Sequence, residues 1–382
     1  MVEEPRFILL GWRVSWYTAK VRSYLQHRGI AHLERKPSLW TYKKRIPQHC
    51  GGDAAVPVLV TPEGEWWQDS TEIIARLESR FPSAPATPAG PLQRFAARLI
   101  EIWADEFWHA TAEHYRFSFP DENYPVWRDE LRSLLPGFPR FMQHALTGQF
   151  RRIMLGVTRD VGVTPESIPL VERWSVGQLD ALEQHLAGMP YLFGTRASIA
   201  DFALMGPING HLAHDPHPRR HLVESRPHLA AWLQRMSQPR GEPGNWLADD
   251  ELPASLGAVF GSLGKELVPY LAHCARLLAQ LAPSAGHDRR YTRMGPLVEV
   301  PFGDGTLRRI VLPYVLWMVQ RLLDDYRALP PGDAARIRSW LEAIGGARLL
   351  ALQIPRLRRQ GLHVAPEVAP APPALASHMQ GH

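Results

Sequence analysis

The chain has 382 residues, enough for two or three domains, and a net charge of +5 from 43 Lys+Arg against 38 Asp+Glu. The small basic excess is spread along the chain, which argues against a nucleic-acid-binding surface, and no uninterrupted apolar stretch reaches the ~20 residues that cross a bilayer. Cys50 and Cys274 are the only cysteines and lie far apart, so no disulfide framework is expected and a reducing, cytoplasmic compartment is. The opening MVEEPRFILLGW sets two acids before a short apolar run, unlike a secretory leader.

Residues 6–10 read as a buried strand, and 18–28 as a helix with Val21, Tyr24 and Leu25 on one side, closed by Gly29. A second strand is expected at 32–35. The β-branched run 56–60 opens on Val56-Pro57, turns at 62–64 and returns at 65–68 as a hairpin, with a helix after it at 70–79. The order βαβ then ββα is that of a thioredoxin-like α/β domain, here 1–82. Pro82, Pro85, Pro88 and Pro91 mark a linker. Helical spacing then dominates at 92–115, 168–186, 198–213 and 228–236, giving an all-α domain at 92–237. After a boundary at 238–250, helices are expected at 256–281 and 313–329, with a small hairpin at 297–310 around Gly303-Asp304-Gly305. These make a mostly helical extension at 251–364, and the Pro- and Ala-rich 365–382 reads as a disordered tail.

Four local patterns, in order, carry a resemblance. The first is Ser15-Trp16-Tyr17-Thr18-Ala19-Lys20-Val21-Arg22 at the start of the first helix, where orphan N–H groups and a partial positive charge stabilise an anion. By itself Ser15 also reads as an N-cap. The second is Val56-Pro57 ahead of the third strand, and the third is Gln68-Asp69-Ser70 before a helix, where Ser70 also reads as a cap. The fourth is Ser198-Ile199-Ala200-Asp201, a capping box that concerns folding rather than chemistry. Together they resemble the cytosolic glutathione transferase superfamily, in its serine-type classes, and a subgroup of bacterial members with a long C-terminal extension.

The resemblance implies a glutathione-dependent transferase with glutathione as co-substrate. Ser15 would donate a hydrogen bond to the glutathione thiolate, with Tyr17 as the rival hydroxyl. Val56, beside a cis Pro57, would pair its backbone with the cysteinyl unit, Asp69 and Ser70 would hold the γ-glutamyl group, and Lys36, with Lys43 and Lys44 as substitutes, would meet the glycine carboxylate. The first long helix puts Trp103, Phe107 and His114 on one face, while Trp108 and Tyr115 share another with His109 further round. One face is core, and the acceptor pocket is expected from Trp12, Trp108, His109 and Tyr115. The partner is then an apolar, aromatic electrophile undergoing thiol addition, elimination or dehalogenation, and family precedent implies a homodimer. The run His211, His214, His217, His221 resembles a metal site by count only, so no metal is expected. Trp16 stands where many relatives have proline, Asp69 is a methylene shorter than the common Glu, and no cysteine occupies position 15, which argues against glutathione-dependent disulfide or peroxide reduction. A non-catalytic binding or scaffold protein on the same fold is the alternative.

Overall fold

The computed structural model describes residues 6–133, 135, 137–239, 244–281 and 290–367. A four-stranded sheet runs in the order β2-β1-β3-β4, built from β1 (Phe7–Leu10), β2 (His32–Arg35), β3 (Val58–Val60) and β4 (Trp66–Gln68). β1 and β2 are parallel across α1 (Trp16–His27), and the β1–β3 and β3–β4 pairs are antiparallel. Alternation along β1 explains its central place: Phe7 and Leu9 join the main core with Val21, Tyr24 and Leu25 of α1, while Leu10 packs on the opposite face with Val58, Cys50 and Ile46 of α2 (Ile46–His49). α3 (Ser70–Arg80) buries Ile73, Ile74 and Leu77 in the same core as α1. This is the thioredoxin-like unit, and the Val56–Pro57 peptide at its centre is cis.

The second unit is helical. It comprises α4 (Pro91–Glu106), α5 (His109–Phe117), α6 (Pro120–Arg132), α7 (Arg140–Asp160), α8 (Ile168–Gly188), α9 (Ile199–Pro207), the single turn α10 (Pro216–Pro218) and α11 (Pro227–Met236). The single helix expected at 92–115 is two, with Phe107 and Trp108 outside both. α6 escapes a reading by periodicity because Pro125 lies inside it; Pro120 at its first turn and Asp121 and Glu122 beside the N-terminal dipole favour its start. The capping box at Ser198 is formed as expected, with Asp201 fully buried.

The extension folds back on both units. α12 (Gly257–Ser262) and α13 (Val268–Gln280) precede the hairpin β5 (Leu297–Phe302) and β6 (Gly305–Ile310), then α14 (Tyr314–Arg327), α15 (Pro331–Ala343) and a second hairpin, β7 (Leu357–Gln360) with β8 (His363–Pro366). Ala365 and Pro366 therefore belong to a strand rather than to the tail expected from 365, and the rest of that tail, 368–382, lies outside the described residues. One continuous apolar cluster runs from Phe7 through Trp103 to Leu316 and Val364, so the extension shares the core of the other two units. Among the described residues no helix is long and apolar enough to cross a membrane.

Asp201 accepts hydrogen bonds from Ser198 N–H (2.8 Å), Ser198 Oγ–H (2.8 Å), Leu192 N–H (3.0 Å) and Trp232 Nε1–H (3.1 Å). Asp201→Ala strands these buried donors at roughly 1–3 kcal/mol each. The expected outcome is a chemical-denaturation midpoint well below wild type, with Asp201→Asn losing less.

Candidate functional site

The register of the sheet brings three distant segments to one edge. Leu10 pairs with Val58, and Val58 pairs with Gln68. The chain leaving β1 toward Ser15, the chain entering β3 through Val56-Pro57, and the chain leaving β4 into Asp69-Ser70 therefore meet at the same end.

Each segment is held there. Gly11 packs so closely on α1 that a Cβ would lie 2.2 Å from Thr18 Cγ2, so only glycine lets the loop pass. Arg116 donates to Val14 O (2.7 Å) while its guanidinium pairs with buried Asp215, which fixes the approach to Ser15. Ser15 caps α1, its Oγ accepting Thr18 N–H at 3.4 Å, and its own hydroxyl donates to no acceptor among the described residues. Gln68 Nε2 donates to Asp53 O (3.1 Å) and Ala55 O (3.0 Å), fastening the strand entry that carries Val56. Asp69 has φ 84, ψ 126, a conformation L-residues rarely adopt, while its Oδ1 caps α3 through Glu72 N–H at 3.0 Å.

Between these segments lies a cavity of about 130 Å³. Val56, Pro57, Asp69, Ser70 and Tyr17 line one side, as do Asp105 and Glu106 from the end of α4. The extension makes the other wall with Arg293, Leu312, Tyr314 and Leu362. Tyr314 Oη–H donates to Asp69 Oδ2 at 2.8 Å, Arg321 pairs with Glu72 at 2.6 Å, and Leu362 N–H donates to Asp53 Oδ2 at 2.7 Å. Three buried acceptor atoms of lining residues, Gln68 Oε1, Asp105 Oδ1 and Glu106 Oε2, have no hydrogen-bond partner.

Burial sets the protonation states. Glu106 is pushed up to about 8, by burial first and then by the neighbouring Asp105 carboxylate. Asp105 is also raised by burial, against the pull of Lys20. Burial and the Glu106 and Asp105 charges raise Tyr17, which keeps its proton and donates it to Asp105 O at 3.0 Å. His109 is driven down to about 4 by burial, then by Arg309. Its Nδ1–H donates to Glu106 O at 3.0 Å, and its neutral Nε2, 3.3 Å from Tyr17 Oη, competes with Asp105 O for the single phenol proton.

The structure gathers Tyr17, Val56, Pro57, Asp69 and Ser70 into the cavity wall; Ser15 sits at the same sheet edge without lining it. Lys36 is a correction, because its ammonium is taken by Glu130 and Ser133 away from the cavity. The acceptor-pocket expectation is corrected too. Trp108 is fully buried among Trp103 and Trp174, and Tyr115 packs on His114 and Phe119. His109 stacks on Trp16 behind Tyr17, and half-buried Trp12 packs against Tyr42. Both faces of the first long helix are core: Trp174 of α8 and Phe119 close over Trp108 and Tyr115 from within the helical unit, while the extension covers the other face, where Trp103 Nε1–H donates to Ser262 Oγ at 3.0 Å and Phe302 stacks on Phe107 at 5.3 Å. Sequence reading missed Asp105 and Glu106, although two adjacent acids in an aromatic helix were a visible signal. Arg293 and Tyr314 carried none. In the histidine run, Glu122, His217 and His221 each place a ligand-type atom within 4.8 Å of the others, but Glu122 is also paired with Arg220, and none of the three lines the cavity.

Two family models match: the glutathione S-transferase N-terminal domain over residues 9–86 and the glutathione S-transferase C-terminal domain over residues 170–239. Among solved structures the chain is similar to the beta-etherase LigF from Sphingobium sp. strain SYK-6, at 20% identity over 60% of this chain and 94% of that one, with a TM-score of 0.43. It is similar to a glutathione S-transferase from Methylobacterium radiotolerans in complex with glutathione sulfonate, at 19% identity over 64% and 99%, TM-score 0.38. A GST-like protein from Pseudomonas syringae aligns at 18% identity over 81% and 96%, TM-score 0.41. No curated protein sequence matches the chain.

The Glu106 carboxyl gives a pH signature. Its folded value, about 8, lies above the ordinary carboxyl value of 4.5, so in that window the folded chain binds the extra proton. Its contribution to stability is complete below the window and lost as pH rises through about 8. The expected outcome is a denaturation midpoint that falls between about pH 5.5 and about pH 8.5, and a flatter dependence in Glu106→Gln. An unchanged slope in the variant counts against the assignment.

Proposed function

The chain belongs to the glutathione S-transferase superfamily, and on that premise we propose that it is a glutathione-dependent transferase that directs the thiol at an apolar electrophile. The observation that carries this reading is the arrangement around Asp69-Ser70. The unpartnered acceptors Gln68 Oε1 and Asp105 Oδ1 suit an ammonium, whose charge would also draw the proton from neighbouring Glu106, while the N–H groups of Ser70 and Thr71 open α3, where a carboxylate is favoured. An amino-acid head such as the γ-glutamyl end of glutathione offers both charges. Val56 adds an amide and a carbonyl that hydrogen-bond to nothing else among the described residues.

Glutathione, when bound, supplies a thiol whose deprotonated form attacks carbon. The chain's part is to bind, orient and lower the cost of that charge. In this reading Ser15, whose hydroxyl proton is uncommitted at the N-terminus of α1, donates to the sulfur. Tyr17 is a less suitable donor, since its proton is given to Asp105 O. Leu312, Met318 and Leu362 supply the apolar side of the cavity for the electrophile. The reading includes a cytoplasmic protein, consistent with two free buried cysteines. It also includes pairing of two copies, through a surface other than the face of α4 on which α14 and α15 pack.

A non-catalytic binding role is favoured by one observation: both Asp69 carboxylate oxygens are already engaged, by Glu72 N–H and by Tyr314. Calorimetric titration of glutathione separates the two, followed by turnover with a chloronitrobenzene. The transferase reading expects binding to wild type that Asp69→Ala and Ser70→Ala abolish, and Ser15→Ala to keep its affinity while losing about 100-fold in kcat. Binding without turnover, insensitive to Ser15, supports the scaffold; no binding to wild type defeats both the transferase and the glutathione site.

A further inference from the structure

Residues 290–367 fall outside both matched family domains, yet they build one wall of the cavity. Two side chains of that wall are placed to act on a ligand. Tyr314, tucked under the head of α14, holds the Asp69 carboxylate in a hydrogen bond of 2.8 Å at a residue whose backbone is itself strained. Arg293 lies on a short stretch anchored on both sides, by Tyr291 N–H to Val364 O (2.8 Å) and by Gly295 N–H to Val311 O (2.8 Å).

Arg293 is the one cation among the residues that line the cavity, and it is exposed and makes no hydrogen bond or ion pair with the described residues. It shares the extension's wall with Tyr314, and Tyr17 and Glu106 line the same cavity. Because Arg293 and Asp69-Ser70 line one cavity from different elements, a ligand whose amino-acid head rests on Asp69-Ser70 can offer its other end to the guanidinium. An unpaired guanidinium over an acid-rich cavity, presented to solvent, is suited to a carboxylate through a forked, charge-assisted contact.

We propose that the C-terminal extension completes the glutathione site within the same chain, Arg293 binding the glycine-end carboxylate and Tyr314 acting as a positioning residue that orients Asp69. This rests on the glutathione reading above. The extension thereby supplies the cation, Lys36 being committed to Glu130 and neither Lys43 nor Lys44 lining the cavity. It also makes the site selective for a thiol peptide with a free carboxylate at its far end.

The test compares glutathione with its glycine-end ethyl ester, by calorimetry, on the full chain. Wild type is expected to bind glutathione roughly 10- to 100-fold more tightly than the ester, the scale of one charge-assisted contact. Arg293→Ala loses that preference by weakening glutathione to the level of the ester, and Arg293→Lys recovers part of it. Tyr314→Phe weakens both ligands alike and leaves their ratio at the wild-type value, which general loosening of the fold would not predict if thermal midpoints are unchanged. If wild type binds glutathione, Asp69→Ala abolishes it, and Arg293→Ala keeps the wild-type preference, this proposal is overturned while the glutathione site stands. If wild type binds neither ligand, the glutathione reading itself fails and takes this proposal with it.

Discussion

A buried ammonium ties the first two units together. Lys20 of α1 is fully enclosed and donates to Glu101 (2.8 Å) and Asp105 (2.5 Å) of α4 and to Thr71 (3.2 Å) of α3. An unpaired charge there would cost several kcal/mol, so α1, α3 and α4 cannot shift relative to one another without breaking the cluster. The arrangement has a chemical consequence as well. Two carboxylates face one ammonium, and Glu106 adds a third acid beside them, which is why the adjoining cavity is rich in acceptors and why Glu106 holds its proton near neutral pH.

The extension is bound to this arrangement from the other side. Arg309 of β6 is fully buried, lies 5.3 Å from the Phe107 ring and 4.4 Å from the Tyr270 ring, and donates to Glu106 O at 2.7 Å. Phe302 of the same hairpin stacks against Phe107 and lies 4.6 Å from Trp174. The end of α4, which carries Asp105 and Glu106, is thus gripped by α1 on one side and by the β5–β6 hairpin on the other. What might be taken for an appendage is part of the core, and the cavity it walls is an interface between the thioredoxin-like unit, α4 and the extension.

Much of the first unit was legible because its signals are local. Strand alternation at 6–10, the glycine after α1 and the Gln68-Asp69-Ser70 turn depend on neighbours a few residues away, and the capping box at Ser198 closes within one turn. The acceptor pocket was not legible. Trp108 and Tyr115 share a helix face, and periodicity reports that faces differ without reporting what covers each one; here Trp174 of α8 and Phe119 bury the face left open. Lys36 failed for a similar reason, since its partner Glu130 lies on α6, a helix hidden by Pro125.

The sequence by itself determined the identity and order of the two matched domains, the capping box at Ser198 and the wide separation of the two cysteines, because each follows from short-range capping or composition, whereas the cap of α3 proved to be Asp69 rather than Ser70. Only the tertiary structure decided which hydroxyls and charges face the cavity. Tyr314 reaches Asp69 across 245 positions, and Arg293 lines the same cavity as Tyr17 and Glu106 only because two hairpins fold the extension back on the sheet edge. Such contacts depend on how whole elements pack, and nothing within a helical turn or a strand pair encodes them.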